Sequence, residues 1–282
     1  MSTPEPMPSS PDDPVWLTGF DLAIPVFPAV AQRALALTTN PNATVRALAD
    51  LVSKDQVLAT RVLALANSAW WGALQEVSTV HEAIVRLGMD AVRNVVLTVC
   101  YSTTVRDEAV YGSRGPLLID HALGTAYLAR LVAERARVDL EEAFLCGLVH
   151  DIGKLVILKL AHDHRRRSGS AVSEAELERT LAERHADLGG RALRKLNLPE
   201  ALDEPVSCHH DYRAANLRRS EAAVVYAANL LAHRYGFGCD PTEGLDLLED
   251  PVAGFLGLDQ AWLTETDERA PGLYLVARQA LD

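Results

Sequence analysis

His150 and Asp151 stand side by side in Phe144-Leu-Cys-Gly-Leu-Val-His-Asp-Ile-Gly-Lys154. An imidazole and a carboxylate adjacent in an apolar run are costly to bury unless something holds the charge, and a divalent cation is one of the few partners that does. The run before the pair reads as helix, because Phe144, Leu145, Leu148 and Val149 recur at i, i+1, i+4 and i+5. The pair is therefore expected at a buried helix end, followed by Gly153 and Lys154.

Further histidines share that setting. His121 lies on a stripe with Leu117, Leu128 and Val132, and His185 on one with Leu177, Leu181, Leu188 and Ala192. His209 follows Leu202 by seven and Val206 by three, and His210 is its neighbour. Any one of these alone is an ordinary hydrogen-bonded core histidine. Together, five of nine histidines plus Asp151 fall on inward faces in one half of the chain. Imidazole and carboxylate form the ligand set of Zn, Fe, Mn, Co or Ni sites, and helical bundles build such sites from inward-facing side chains. The remaining four lack this support. His81 lies in a capping sequence, His162 and His164 lie in basic text, and His233 sits one turn after Asn229; all four are read as surface or supporting residues.

The elements that must position these groups are helical. At 282 residues the chain can bury one large or two smaller cores, with two expected. Ala- and Leu-rich text with few β-branched runs, 49% hydrophobic and 23% charged, predicts an all-α fold of two packed helical bundles. Thr44 is expected to cap a helix through Val52, Ser53 to Gln56 to form a capping box for the next, and Thr79 with Glu82 a second box, with Gly88 ending that helix. Asp107 to Pro116 reads as a loop at a domain boundary. Helices follow over 117–136, 140–149, 152–162, 173–196, 199–210 and 219–235, with Arg165-Arg166-Arg167 as a basic loop at a helix exit. The expected division is a disordered tail over 1–20, a first helical subdomain over 21–106, a second over 116–236, and an acidic helical extension over 240–282.

A net charge of −11 argues against a nucleic-acid surface. Cys100, Cys146, Cys208 and Cys239 are widely spaced and read as free thiols of a reducing compartment. With no membrane-spanning run and no signal-peptide pattern, a cytoplasmic protein without a membrane partner is expected.

The residues resemble a known family. His121, His150-Asp151 and their helical setting resemble the HD superfamily of metal-dependent phosphohydrolases; His185 and His209-His210 resemble further ligands of its HD-GYP branch, which hydrolyses cyclic di-GMP. The closer resemblance is to the HDOD family, an HD-related output domain of bacterial signal transduction. It rests on Ile24-Pro-Val-Phe-Pro28, the Asp55 to Ala69 box with Asn67-Ser68, Ala83 to Gly88, Ala143 to Lys154, His185 to Gly189, Asn197-Leu-Pro199 and His209-His210, and covers about residues 22 to 236.

The resemblance implies a metal set of His121, His150, Asp151, His185, His209, His210 and Asn229. HD enzymes carry an aspartate at the position of Asn229, and the run after His210 lacks the Asp-Gly-x-Gly-Tyr-Pro of HD-GYP enzymes. Asparagine is a weak neutral ligand. The expected function is thus a regulatory output module with an HD-like, metal-binding pocket (Fe, Mn, Zn or Ni) and no hydrolase activity. Its partners would be signalling proteins such as a sensor kinase, a diguanylate cyclase or a regulator, with a cyclic dinucleotide as a candidate ligand. Trp70 and Trp71, beside the Asn67-Ser68 box, either offer a protein-binding surface or pack the junction of the bundles. The alternative is a metal-dependent phosphohydrolase or cyclic di-GMP phosphodiesterase, with Asp151 and Lys154 as catalytic groups.

Overall fold

The computed structural model describes residues 14, 16–17, 29–38, 40, 42–67, 75–196, 198–242 and 244–279. The motif at 24–28, Ser68, Trp70, Trp71 and Asn197 lie outside them. Among the described residues every regular element is a helix, in the order α1 (Ala29–Thr38), α2 (Val45–Val52), α3 (Gln56–Ala66), α4 (Val80–Leu87), α5 (Met89–Val105), α6 (Glu108–Tyr111) and α7 (Arg114–Ala136). Then come α8 (Leu140–Val149), α9 (Ile152–Ser168), α10 (Glu174–Lys195), α11 (Asp203–Ser207), α12 (Arg219–Tyr235), α13 (Pro251–Leu256) and α14 (Gln260–Gln279).

Local chemistry accounts for most boundaries. Thr44 caps α2 by accepting from the Ala47 amide. Thr79 and Glu82 form the full reciprocal capping box of α4, and Gly88 closes that helix at φ 87°. The Ser53 capping box does not form. Asp55 takes the N-cap of α3, its Oδ1 accepting from Val57 and Leu58 at 2.9 and 3.1 Å, while Ser53 ends α2. A carboxylate two residues closer to the helix outcompetes the hydroxyl for the free N–H groups and also suits the helix dipole.

Three further expectations are corrected. Asp107 to Pro116 is not one loop: it holds the short α6 and the start of α7, where Pro116 sits in the first turn and needs no backbone partner. Arg165, Arg166 and Arg167 form the last turn of α9, which runs to Ser168 before Gly169 turns left-handed. The single helix expected over 199–210 is a 3-10 turn at Glu200–Leu202 followed by α11, because Pro205 lacks an N–H and tolerates only a first-turn position.

One buried apolar cluster runs from Trp16 through α1–α5 into α8–α10, reaching Val225 of α12. A second joins α7, α12, α13 and α14. The C-terminal segment packs back on the body as expected, although α14 is long and carries Pro271 within it. α7 lies between the two clusters and packs against α5, α8, α12 and α14. It carries His121 into the centre. No helix among the described residues is long and apolar enough to cross a membrane.

Candidate functional site

His150 ends α8 in helical geometry, and Asp151 follows at φ −97°, ψ 13°, which breaks the helix before α9 restarts at Ile152. That break aims both side chains into one pocket. α9 can pass close to α10 there because residue 153 is glycine: a Cβ would stand 1.8 Å from the His185 carbonyl oxygen. His185 comes from the middle of α10, His209 and His210 from the turn after α11, His121 from α7 and Asn229 from α12. His150 and His209 are fully buried; Asp151, His185, His121 and Asn229 are nearly so. His210 is exposed at the rim, where the sequence placed it inward with its neighbour. The turn after α11 can turn only one of the doublet into the core.

Four rings are held in the same way. Nδ1 of His121, His150, His185 and His209 lies 3.0, 2.8, 2.6 and 2.6 Å from the carbonyls of Phe237, Gly147, Leu181 and Val206. A carbonyl only accepts, so each Nδ1 donates and each Nε2 points inward with a free lone pair. The Nε2 atoms converge on Asp151. On the Oδ1 side stand His185 at 3.3 Å and His209 at 3.7 Å, with His185 Nε2 lying 3.2 Å from that of His209 and 2.8 Å from that of His210. On the Oδ2 side stand His150 at 3.4 Å and His121 at 3.7 Å, together with the Lys154 ammonium at 2.6 Å. The Asn229 amide oxygen is 3.0 Å from His121 Nε2.

Burial dominates the electrostatics of the imidazoles. It pushes His121 and His185 down to about 4 and His209 far below its ordinary value, and it lowers His210 as well. These rings are therefore neutral near pH 7. Burial pushes the Asp151 carboxyl up, but His150 and the Lys154 ammonium beside it outweigh that and hold it well below the usual carboxylate range. The centre is thus an anionic carboxylate faced by nitrogen lone pairs. Asp151 Oδ1 and His150 Nε2 are buried with no hydrogen-bond partner. Acceptors crowded against acceptors repel unless an electron-pair acceptor joins them. A divalent cation answers that need: His185, His209 and His210 form one group that could hold it, and His121, His150 and Asp151 another.

A cleft of about 450 Å³ opens beside these groups, lined by Lys154, His233, Cys239, Arg114 and Leu117 among others. Sequence reasoning underrated His233. Its ring lies 5.0 Å from that of His121, and its Nδ1 is 3.3 Å from Cys239 Sγ. The available signal was its position one turn beyond Asn229 on the same helix. Phe237, whose carbonyl holds His121, carried no signal, since a backbone group has no sequence signature. His81 is exposed, and His162 lines a separate cleft between α6 and α9.

The comparisons with known proteins agree with this architecture. A phosphohydrolase, so described provisionally, from Shewanella amazonensis superposes with a TM-score of 0.68 at 25% identity, covering 92% of this chain and 95% of that one. An HDOD domain protein of unknown function from Geobacter sulfurreducens superposes with a TM-score of 0.69 at 23% identity, covering 91% and 93%. Ribonuclease Y of Aquifex aeolicus is 30% identical over 150 residues, which are 51% of this chain and 23% of that protein. The chain spans 23% to 38% of the length of the first curated relatives it matches. The HDOD domain profile matches residues 24–212, which contain His121, His150, Asp151, His185, His209 and His210 but not Asn229: the chain belongs to the HDOD family.

Proposed function

We propose that this chain is a regulatory output module of bacterial signal transduction whose HD-like pocket holds a divalent transition metal (Fe, Mn, Zn or Ni) without hydrolysing a phosphoester. The observation that carries the reading is the donor set itself. Four imidazoles are locked with Nε2 inward around one buried carboxylate whose Oδ1 has no partner. That arrangement supports a bound cation. The same set argues against turnover, because Asp151 is the only carboxylate among the converging groups and residue 229 contributes a neutral amide. A cation in such a site lowers the pKa of its water. Generating and orienting hydroxide also needs a base, and among the described residues no second carboxylate joins Asp151 in the converging groups. Asn67 donates to the Val77 carbonyl and accepts from the Val77 amide, each at 2.9 Å, tying the end of α3 to the residues just before α4. That first bundle is the candidate surface for a sensor kinase, a diguanylate cyclase or a regulator, with a cyclic dinucleotide as a candidate ligand of the cleft.

The second reading is a metal-dependent phosphodiesterase. It is favoured by the cleft beside the cluster, with Lys154 at its edge, and by the names of the Aquifex and Shewanella relatives. In that reading Lys154 neutralises a phosphate oxygen and Asp151 holds the cation. The test is metal analysis of protein purified without chelator, followed by assays on cyclic di-GMP and on a generic phosphodiester with added Mn or Fe. Bound metal without turnover is expected. Turnover that is abolished by His150→Ala would replace the regulatory reading with the enzymatic one.

A further inference from the structure

The two oxygens of Asp151 differ in what already serves them. Oδ2 accepts from Lys154 Nζ at 2.6 Å, so an ammonium stands where a cation on that side would bind. His121 is also engaged. A neutral imidazole has one N–H, and the Phe237 carbonyl takes it at Nδ1. Nε2 is then an acceptor, and the neighbour 3.0 Å away is the planar amide of Asn229. With the Nδ1 proton given to Phe237, this contact is a hydrogen bond only when the amide turns its NH2 toward His121 in place of the oxygen that faces it, and His150 Nε2 still has no partner. A carboxylate at 229 could not donate in this way. On the Oδ1 side His185 and His209 spend their N–H groups on Leu181 and Val206, His210 Nε2 faces His185 Nε2 at 2.8 Å and can carry a proton that a cation would displace, and Oδ1 itself is orphaned. The separations there, 2.8 to 3.3 Å from His185 Nε2 to His210, His209 and Oδ1, match neighbouring ligands on one small cation.

We infer that the pocket takes a single divalent cation on the Oδ1 side of Asp151, among His185, His209 and His210, and that Lys154 and Asn229 fill the Oδ2 side with the chain's own N–H groups. This rests on the reading that the pocket binds a cation. It adds that His121 and Asn229 are not ligands, and that the chain has closed half of a two-cation site with its own side chains.

The experiment loads the metal-free full chain with Mn2+ or Zn2+ and measures stoichiometry by elemental analysis and affinity by titration calorimetry. Wild type is expected to hold about one equivalent. His210→Ala, at the exposed rim, should weaken binding by about tenfold or more, whereas His121→Ala should change it by less than about threefold. Asn229→Asp combined with Lys154→Ala should raise the content to about two equivalents. Two equivalents in the wild type would overturn this inference and leave the cation reading standing. Equal losses in His121→Ala and His210→Ala, or a folded double variant that stays at one equivalent, would do the same. No metal in a folded wild type would overturn the cation reading itself. Circular dichroism melts identify a variant that has unfolded; should the double variant unfold, the two single histidine variants decide.

Discussion

The two sides of the Asp151 carboxylate are built from the same residue types and end in different states. On the Oδ2 side the Lys154 ammonium donates to the carboxylate and the Asn229 amide stands 3.0 Å from His121 Nε2, while His150 Nε2 keeps no partner. On the Oδ1 side, the Nε2 atoms of three imidazoles crowd a bare oxygen. One residue type decides the contrast. An amide at 229 can donate to an imidazole, while the carboxylate of HD enzymes can only accept. A cluster of histidines is therefore not by itself a metal site; what matters is which lone pairs remain free.

Each side is wedged in place by a glycine, and each wedge can be broken separately. The largest expected effect is on the Oδ1 side. Gly153→Ala would put a methyl 1.8 Å from the His185 carbonyl, so α9 and α10 must part. About 3 kcal/mol of stability should be lost, with weakened cation binding, read by urea denaturation and calorimetry. Gly238 is the counterpart on the Oδ2 side. Its φ is 68°, and a Cβ would lie 2.2 Å from the Leu117 carbonyl and 2.5 Å from the His121 amide. Gly238→Ala should lose about 2 kcal/mol but leave cation affinity nearly unchanged. A parallel loss of affinity would erase the distinction between the sides.

Smaller effects sharpen the contrast. In metal-free protein, His121 and His185 titrate at about 4, below the ordinary imidazole value. The unfolded chain then binds more protons in between, so the stability these groups contribute is present above about pH 6.5 and is lost as pH falls toward 4. Each contributes up to about 1.4 kcal/mol per pH unit in that window. Urea midpoints measured across it should fall, and a flat profile would mean that the rings are already charged in the fold. Asp55→Ala, at the cap of α3 and remote from the pocket, should cost about 1 kcal/mol and leave cation affinity unchanged.

Much of the site could be read in the sequence because it is local. His121, His185 and His209 lie on apolar stripes of helical period, and burial of all three follows from that periodicity. His150-Asp151 sits at the helix break where the text placed it. The misreadings have local causes of a different kind. Ser53 and Asp55 competed for one cap, and periodicity carried through the Pro205 turn made His210 look buried. His233 looked peripheral because helix phase says nothing about which neighbour a side chain meets.

By itself the sequence determined most of the helices, the Thr44 and Thr79 caps and the inward faces of His121 and His185, since these depend on residues three or four apart. Its motifs also carried the family resemblance. Only the tertiary structure decided how those faces meet. The pairing of His121 with Asn229 spans 108 residues, and the Phe237 carbonyl reaches His121 across 116. Which nitrogen of His121 carries the proton follows from those contacts. A tautomer is fixed by the atom facing it: a carbonyl three or four residues back for His150, His185 and His209, but for His121 an atom brought there by another part of the chain.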